Sequence, residues 1–68
     1  GKDGLDVVKK VIYKTSKILK INGLLALEIG NGQFEKVSKI LNEKNFKIKY
    51  IIKDFGKNIR GVISILKK

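Results

Sequence analysis

The chain has 68 residues, enough for one small domain that buries about 60% of the surface its unfolded form exposes. It contains no cysteine, histidine or methionine, which excludes disulfides, thiolate or imidazole metal sites, and catalysis by cysteine or histidine. The formal net charge is +10, which favours contact with anionic partners.

The lysine-rich composition has two explanations. A basic surface attracts nucleic acid, anionic lipid or acidic proteins. The lysines are spread along the whole chain, however, and the codons of Lys, Ile and Asn are AT-rich, so genome composition alone would produce the same bias. Arginine, which binds bases and phosphates through its fork, occurs once, at Arg60. A small basic nucleic-acid-binding module is therefore kept as an alternative function.

Two further features of the sequence predict where the protein is located and whether it contacts a membrane. No stretch approaches the roughly 18 apolar residues that a membrane span requires, so we expect no contact with a membrane. The absence of cysteine fits a reducing cytoplasm, which is the expected location.

The first predicted element is a helix over residues 5–19. Apolar side chains recur there at spacings of three and four. These are Leu5, Val8, Val11, Ile12 and Leu19. Asp3 or Asp6 is expected at the start of the helix, where the helix dipole favours negative charge. Asn22-Gly23 is a turn signal that ends it.

The second element is a strand over residues 24–29. It is a continuous apolar run between Gly23 and Gly30, typical of a strand buried on both faces in a parallel sheet. The third is a helix over residues 33–44. Its apolar stripe consists of Phe34, Val37, Ile40 and Leu41. Either residue 31 or residue 32 is expected to be its N-cap, and Asn45 its stop.

Two strands complete the chain. Residues 46–52 alternate, with Lys47 and Lys49 facing water, as at the edge of a sheet. Residues 59–66 are apolar on both faces and are predicted to form a central strand. A reversing loop over residues 54–58 makes this last strand antiparallel.

The predicted fold class is α/β, in the order helix, strand, helix, strand, strand. The first two strands are joined by a parallel, right-handed crossover, and the last strand inserts between them. This is a partial Rossmann-like sheet, and it occupies the chain as one unit over residues 1–68.

Short stretches of sequence resemble one known family. They are Asp3-Gly4-Leu5-Asp6, Leu19-Lys20-x-x-Gly23, Leu27-Glu28-Ile29-Gly30-x-x-Gln33, Phe46, Asp54 and Arg60. In order and spacing they resemble the C-terminal segment of the release factor glutamine methyltransferases, the HemK/PrmC family of class I S-adenosylmethionine-dependent methyltransferases. The resemblance covers essentially the whole chain. It departs at Ile21-Asn22-Gly23, where the family often has Pro-Gly-Gly.

The resemblance implies a function for an intact parent enzyme. That parent would be a cytoplasmic transferase of translation termination, which moves a methyl group from S-adenosylmethionine to a glutamine side-chain amide of release factors. The family holds that amide in an Asn-Pro-Pro-Tyr loop, and this chain has no proline. We therefore expect the segment alone to be inactive and to contain no catalytic residue. Related enzymes act on adenine amino groups, so part of a nucleic-acid methyltransferase of that type is a further alternative.

A glycine motif offers a competing interpretation. Glu28, Gly30 and Gly32 follow a strand and precede a helix, and Asp54 lies about where a nucleotide site places an acidic ribose ligand. Glu28, Gly30 and Gly32 are therefore candidates for cofactor binding. We favour turn geometry for the glycines and helix capping for Glu28, and expect neither S-adenosylmethionine nor a metal to bind to this segment.

The expected partners follow from the isolated sheet. The strand over residues 24–29 would be unpaired on one side and one sheet face uncovered, so the remainder of the methyltransferase domain is the expected partner. Without it, we expect a homodimer through that strand or that face. Asp54 and Arg60 are expected to pair across their loop. Five aromatic side chains are expected to pack in the core or at its rim, namely Tyr13, Phe34, Phe46, Tyr50 and Phe55.

Overall fold

The computed structural model describes residues 5–67, which form two helices and three strands in the predicted order. They are α1 (Leu5–Ile18), β1 (Leu24–Glu28), α2 (Phe34–Glu43), β2 (Phe46–Lys53) and β3 (Ile59–Leu66). Asp6 lies in the first turn of α1, as expected, whereas Asp3 and Gly4 are outside the described residues. Neither of these two helices is long and apolar enough to cross a membrane.

The three strands form one sheet in the order β1-β3-β2. β3 is antiparallel to both neighbours, so β1 and β2 run parallel to each other with β3 between them. Ser64 at the centre of β3 lies opposite Leu25 of β1 and Ile48 of β2. The predicted insertion of the last strand is therefore what the structure shows.

One face of this sheet carries the helices and the hydrophobic core. Alternate residues of β3, namely Val62, Ser64 and Leu66, are fully buried on that face. They share a core with Ile12 of α1 and with the apolar stripe of α2, where Val37 and Leu41 are fully buried. The buried hydroxyl of Ser64 donates to the carbonyl oxygen of Leu25 at 3.1 Å, which satisfies it and links the two strands.

The opposite sheet face is open to solvent. We call it the open face and define it by the strand residues that the pairing register places there. Its apolar members are Leu24, Ala26, Tyr50, Ile52, Ile63 and Ile65, and Glu28, Lys47 and Gly61 lie on the same face. Leu24 is 56% exposed, Tyr50 59% and Ile52 50%. β1 is therefore covered on one face only, as expected for the isolated segment, because helices cover only one side of the sheet and β1 lies at its edge.

A backbone irregularity breaks the predicted alternation of β2. The pairing register shifts between Ile48 and Tyr50, so Lys49 has no partner on β3. An extra residue of this kind is a β-bulge, and it restarts the in-and-out pattern of side chains. Tyr50 and Ile52, which the predicted alternation placed on the same face as Phe46, lie on the open face as a result, and the expectation that Tyr50 packs in the core or at its rim is wrong.

The helix ends are set mainly by backbone geometry. The N-cap of α2 is Gln33, without a side-chain cap, and not residue 31 or 32 as predicted. Asn45 follows the C-cap of α2 with a φ of 67°, the left-handed conformation that asparagine tolerates, so the predicted stop is confirmed. In α1, Ile12 is fully buried, whereas Val11 of the predicted stripe is 39% exposed.

Candidate functional site

The candidate site is the sheet edge at which β1 and β2 end and β3 begins. Because β1 and β2 are parallel, their carboxyl ends meet there, and open α/β sheets bind ligands at such an edge. Two loops form this carboxyl edge: the β1–α2 loop (residues 29–33) and the β2–β3 loop (residues 54–58). The buried Ile29 donates its backbone N–H to the carbonyl oxygen of Arg60 at 2.9 Å, which ties the two regions together.

The β1–α2 loop is closed by its own backbone and by one amide side chain. The N–H of Gly30 donates to Oε1 of Gln33 at 2.8 Å, and the N–H of Gln33 donates to the carbonyl oxygen of Gly30 at 3.2 Å. Gly32 has a φ of 77°, where glycine is favoured, while a Cβ on Gly30 would lie 3.0 Å from Gln33 Oε1. Both glycines thus have a structural reason, and cofactor binding by them stays a prediction.

Glu28 ends β1 with an exposed side chain. Across residues 5–67 the carboxylate of Glu28 accepts no hydrogen bond from the backbone amides that begin α2. The Gly30 amide, just before them, donates to Oε1 of Gln33. The capping role predicted for Glu28 is therefore wrong, and any cofactor contact by Glu28 remains a prediction.

The β2–β3 loop is organised by Asp54. Its Oδ1 accepts a hydrogen bond from the N–H of Asn58 at 3.0 Å, and its Oδ2 accepts one from Nε–H of Arg60 at 2.8 Å. These bonds, the one from Arg60 foremost, hold the pKa of the Asp54 carboxyl below its usual range. The predicted pair is confirmed, and since both side chains remain partly exposed, its main effect is on loop conformation.

The backbone of the same loop closes on itself. The N–H of Asp54 donates to the carbonyl oxygen of Asn58, and the N–H of Lys57 donates to that of Asp54, both at 3.0 Å. Both carboxylate oxygens of Asp54 therefore serve the loop itself, and a role for Asp54 as a ribose ligand stays a prediction. Phe55, which was expected to pack, is fully exposed on this loop. Its place between Asp54 and Gly56 in a turn was the sequence signal for that exposure.

The two loops border an open cleft of about 350 Å³. It is lined by Gly32, Phe34, Glu35, Lys57, Asn58 and Ile59. Over the described part of the chain, no group of three acidic, histidine or cysteine side chains could hold a metal ion. The carboxyl edge therefore offers backbone groups, charges and one exposed aromatic ring, which suit the positioning of another molecule.

A second groove, of about 660 Å³, lies beside α2 at the start of β2. It is lined by Glu35, Ser38, Lys39, Asn42, Asn45, Phe46, Lys47, Ile48 and Lys67. Its lysines suit an anion, but Phe46, its aromatic residue, is only 3% exposed and presents no ring for base stacking.

Comparison with known proteins gives one consistent result. The chain is 45% identical over 62 residues, 91% of its length, to the release factor glutamine methyltransferase of Fusobacterium nucleatum. It is 37% identical over 65 residues, 96% of its length, to the protein of the same name from Clostridium acetobutylicum. A ribosomal protein uL3 glutamine methyltransferase of Francisella tularensis is 44% identical over 34 residues, which are 50% of this chain and 11% of the relative.

The matches cover only part of each relative. The chain spans 18% of the Fusobacterium protein and 23% of the Clostridium protein, about a fifth of their lengths. No protein-family model matches the chain, and no solved structure matches it.

Proposed function

We infer that this chain, which matches a C-terminal segment of the HemK/PrmC family of release factor glutamine methyltransferases, is part of a protein-glutamine methyltransferase. Its intact parent transfers a methyl group from S-adenosylmethionine to a glutamine side-chain amide of a release factor. The observation that carries this proposal is the 37–45% identity to two relatives of that name over nearly the whole chain.

The sheet supports a place at the end of a larger Rossmann-like sheet. β3 is antiparallel and inserted beside β2, while β1 has an unpaired side at the sheet edge and the open face is uncovered. An edge strand of this kind pairs with a further strand, and an apolar sheet face is buried by further helices. The remainder of the methyltransferase domain is the partner we propose for both surfaces.

The segment alone is expected to transfer no methyl group. An amide nitrogen is a poor nucleophile because its lone pair is delocalised, so the enzyme must hold the amide in line with the methyl donor. The chain has no proline and therefore lacks the Asn-Pro-Pro-Tyr loop that does this in the family. The donor site is proposed to lie in the rest of the parent, which is proposed to work in the cytoplasm.

The isolated chain is proposed to self-associate. Its uncovered apolar surfaces are the open face and the unpaired side of β1, and a two-fold dimer through either would bury them. The net charge of +10 opposes this association, so it should strengthen as salt screens the lysines.

The alternative is a nucleic-acid function, as a small basic binding module or as part of an adenine-type methyltransferase. The observation that favours it is the net charge together with the lysine-lined groove beside α2. Steep, salt-dependent binding to a random duplex would be its sign.

A segment exchange tests the proposal. The segment of the Fusobacterium nucleatum enzyme that matches this chain is replaced by the corresponding 62 residues. The exchange enzyme is then given radiolabelled S-adenosylmethionine and either its release factor or adenine-containing nucleic acid. We expect label on the release factor and none on a release factor whose acceptor glutamine is replaced by asparagine. A folded exchange enzyme that labels nucleic acid instead would overturn the proposal in favour of the adenine-type alternative.

A further inference from the structure

We propose that the β2–β3 loop is a docking contact for the protein substrate and that Phe55 is its anchor. The inference rests on the proposed function and names where the release factor touches this segment. Its starting observation is the complete exposure of Phe55, which takes no part in the hydrophobic core. A phenylalanine ring kept wholly in water gains strongly from burial against another surface.

The loop that carries Phe55 is held in shape without help from its ring. Asp54 accepts hydrogen bonds from Asn58 and Arg60, and the backbone of residues 54, 57 and 58 closes the turn. The turn is compact, since a Cβ on Gly56 would lie 3.3 Å from Nδ2 of Asn58 and 3.4 Å from Oδ1 of Asp54. An anchor on a preorganised loop loses little conformational entropy on binding, which favours tight contact.

The position of the loop fits a substrate contact. It lies at the carboxyl edge, and Arg60, which follows it, is bonded to Ile29 at the end of β1. Ligands of open α/β sheets approach this edge. A protein that offers one glutamine side chain there must also touch the loops around it.

The local charge indicates the kind of surface that the loop would meet. Lys53 and Lys57 on either side of Phe55 are exposed, whereas the charge of Arg60 is offset by Asp54. The loop therefore presents an aromatic ring between positive charges, which fits an apolar hollow with acidic residues around it. A single aromatic anchor is typical of protein interfaces, and single-stranded nucleic acid instead needs successive rings for stacking.

Kinetics of the exchange enzyme test the inference. Phe55→Ala should raise KM for the release factor about tenfold, with kcat and KM for S-adenosylmethionine unchanged, and Phe55→Tyr should restore most of the loss. The matched control is Ile18→Ala, which removes a side chain that is 82% exposed at the C-terminal end of α1 and should change neither constant. A KM for the release factor within twofold of the original after Phe55→Ala would overturn the inference.

A second measurement does not depend on catalysis. A photoreactive phenylalanine analogue replaces Phe55 in one sample and Ile18 in another, and each exchange enzyme is irradiated with its release factor. Crosslinking from the loop alone supports the docking contact even if no methyl group is transferred, in which case only the proposed function fails. Methyl transfer without a crosslink and without a change in KM contradicts the inference alone, and crosslinking of added RNA in place of the release factor also contradicts it.

Discussion

Replacement of Leu41 by alanine tests whether the core of this small chain is as described. Leu41 is fully buried with Ile12, Val37 and Leu66. Leu→Ala changes at such sites cost about 2–5 kcal/mol, from lost burial and from the cavity left behind. At about 0.05–0.15 kcal/mol per residue, a chain of this length has a free energy of unfolding of roughly 3–10 kcal/mol. The variant should therefore lose much of its stability.

Urea unfolding followed by far-ultraviolet circular dichroism measures this loss. With a denaturant slope of about 1 kcal/mol per molar urea, the midpoint should fall by roughly 2 M or more. Ile18→Ala is the control, because its exposed side chain should change the free energy of unfolding by less than about 0.5 kcal/mol. A shift for Leu41→Ala no larger than that of the control would refute the placement of Leu41 at the centre of the core.

Two further predictions concern the sheet edge and the β2–β3 loop. Ala26→Lys on the open face should dissociate the self-associated chain into monomers, as measured by sedimentation equilibrium. Val7→Lys, at an exposed position of α1, is the control and should leave the association unchanged. An unmodified chain that is monomeric at high micromolar concentration would contradict the prediction. The lowered pKa of Asp54 means that its stabilisation of the loop is complete above its ordinary pKa of 3.8 and is lost as pH falls from there through the lowered pKa of the folded chain. Protection of the Asn58 amide from hydrogen exchange should therefore fall as the solution is acidified. If Asp54→Asn left this protection and its acid dependence unchanged, Asp54 would not be the group that holds the loop.

The elements were predictable because their signals are local. Asn22 and Asn45 adopt positive φ values of 71° and 67°, and both lie where the sequence indicated that a helix stops or a turn begins. The central position of β3 followed from its apolar residues on both faces. The pairing of Asp54 with Arg60 was predictable because a short reversing loop separates them.

The remaining features depend on contacts that sequence periodicity does not encode. The bulge at Lys49 is a property of how β2 pairs with β3, and it exposes Tyr50 and Ile52 against the predicted alternation. The half-exposed state of β1 depends on which elements cover the sheet and not on the apolar run itself. The bond between Gln33 and Gly30 depends on one side-chain conformation, which the sequence pattern does not specify.

Calorimetric titration with S-adenosylmethionine, of this chain and of the exchange enzyme under the same conditions, tests most directly whether the chain is one part of a larger methyltransferase sheet. We predict binding heat from the exchange enzyme and none from the chain alone, because the donor site is proposed to lie outside this segment. Micromolar binding by the chain alone, lost on substitution of Gly30 or Gly32, would instead make the glycine turn a self-sufficient cofactor site and contradict the proposal.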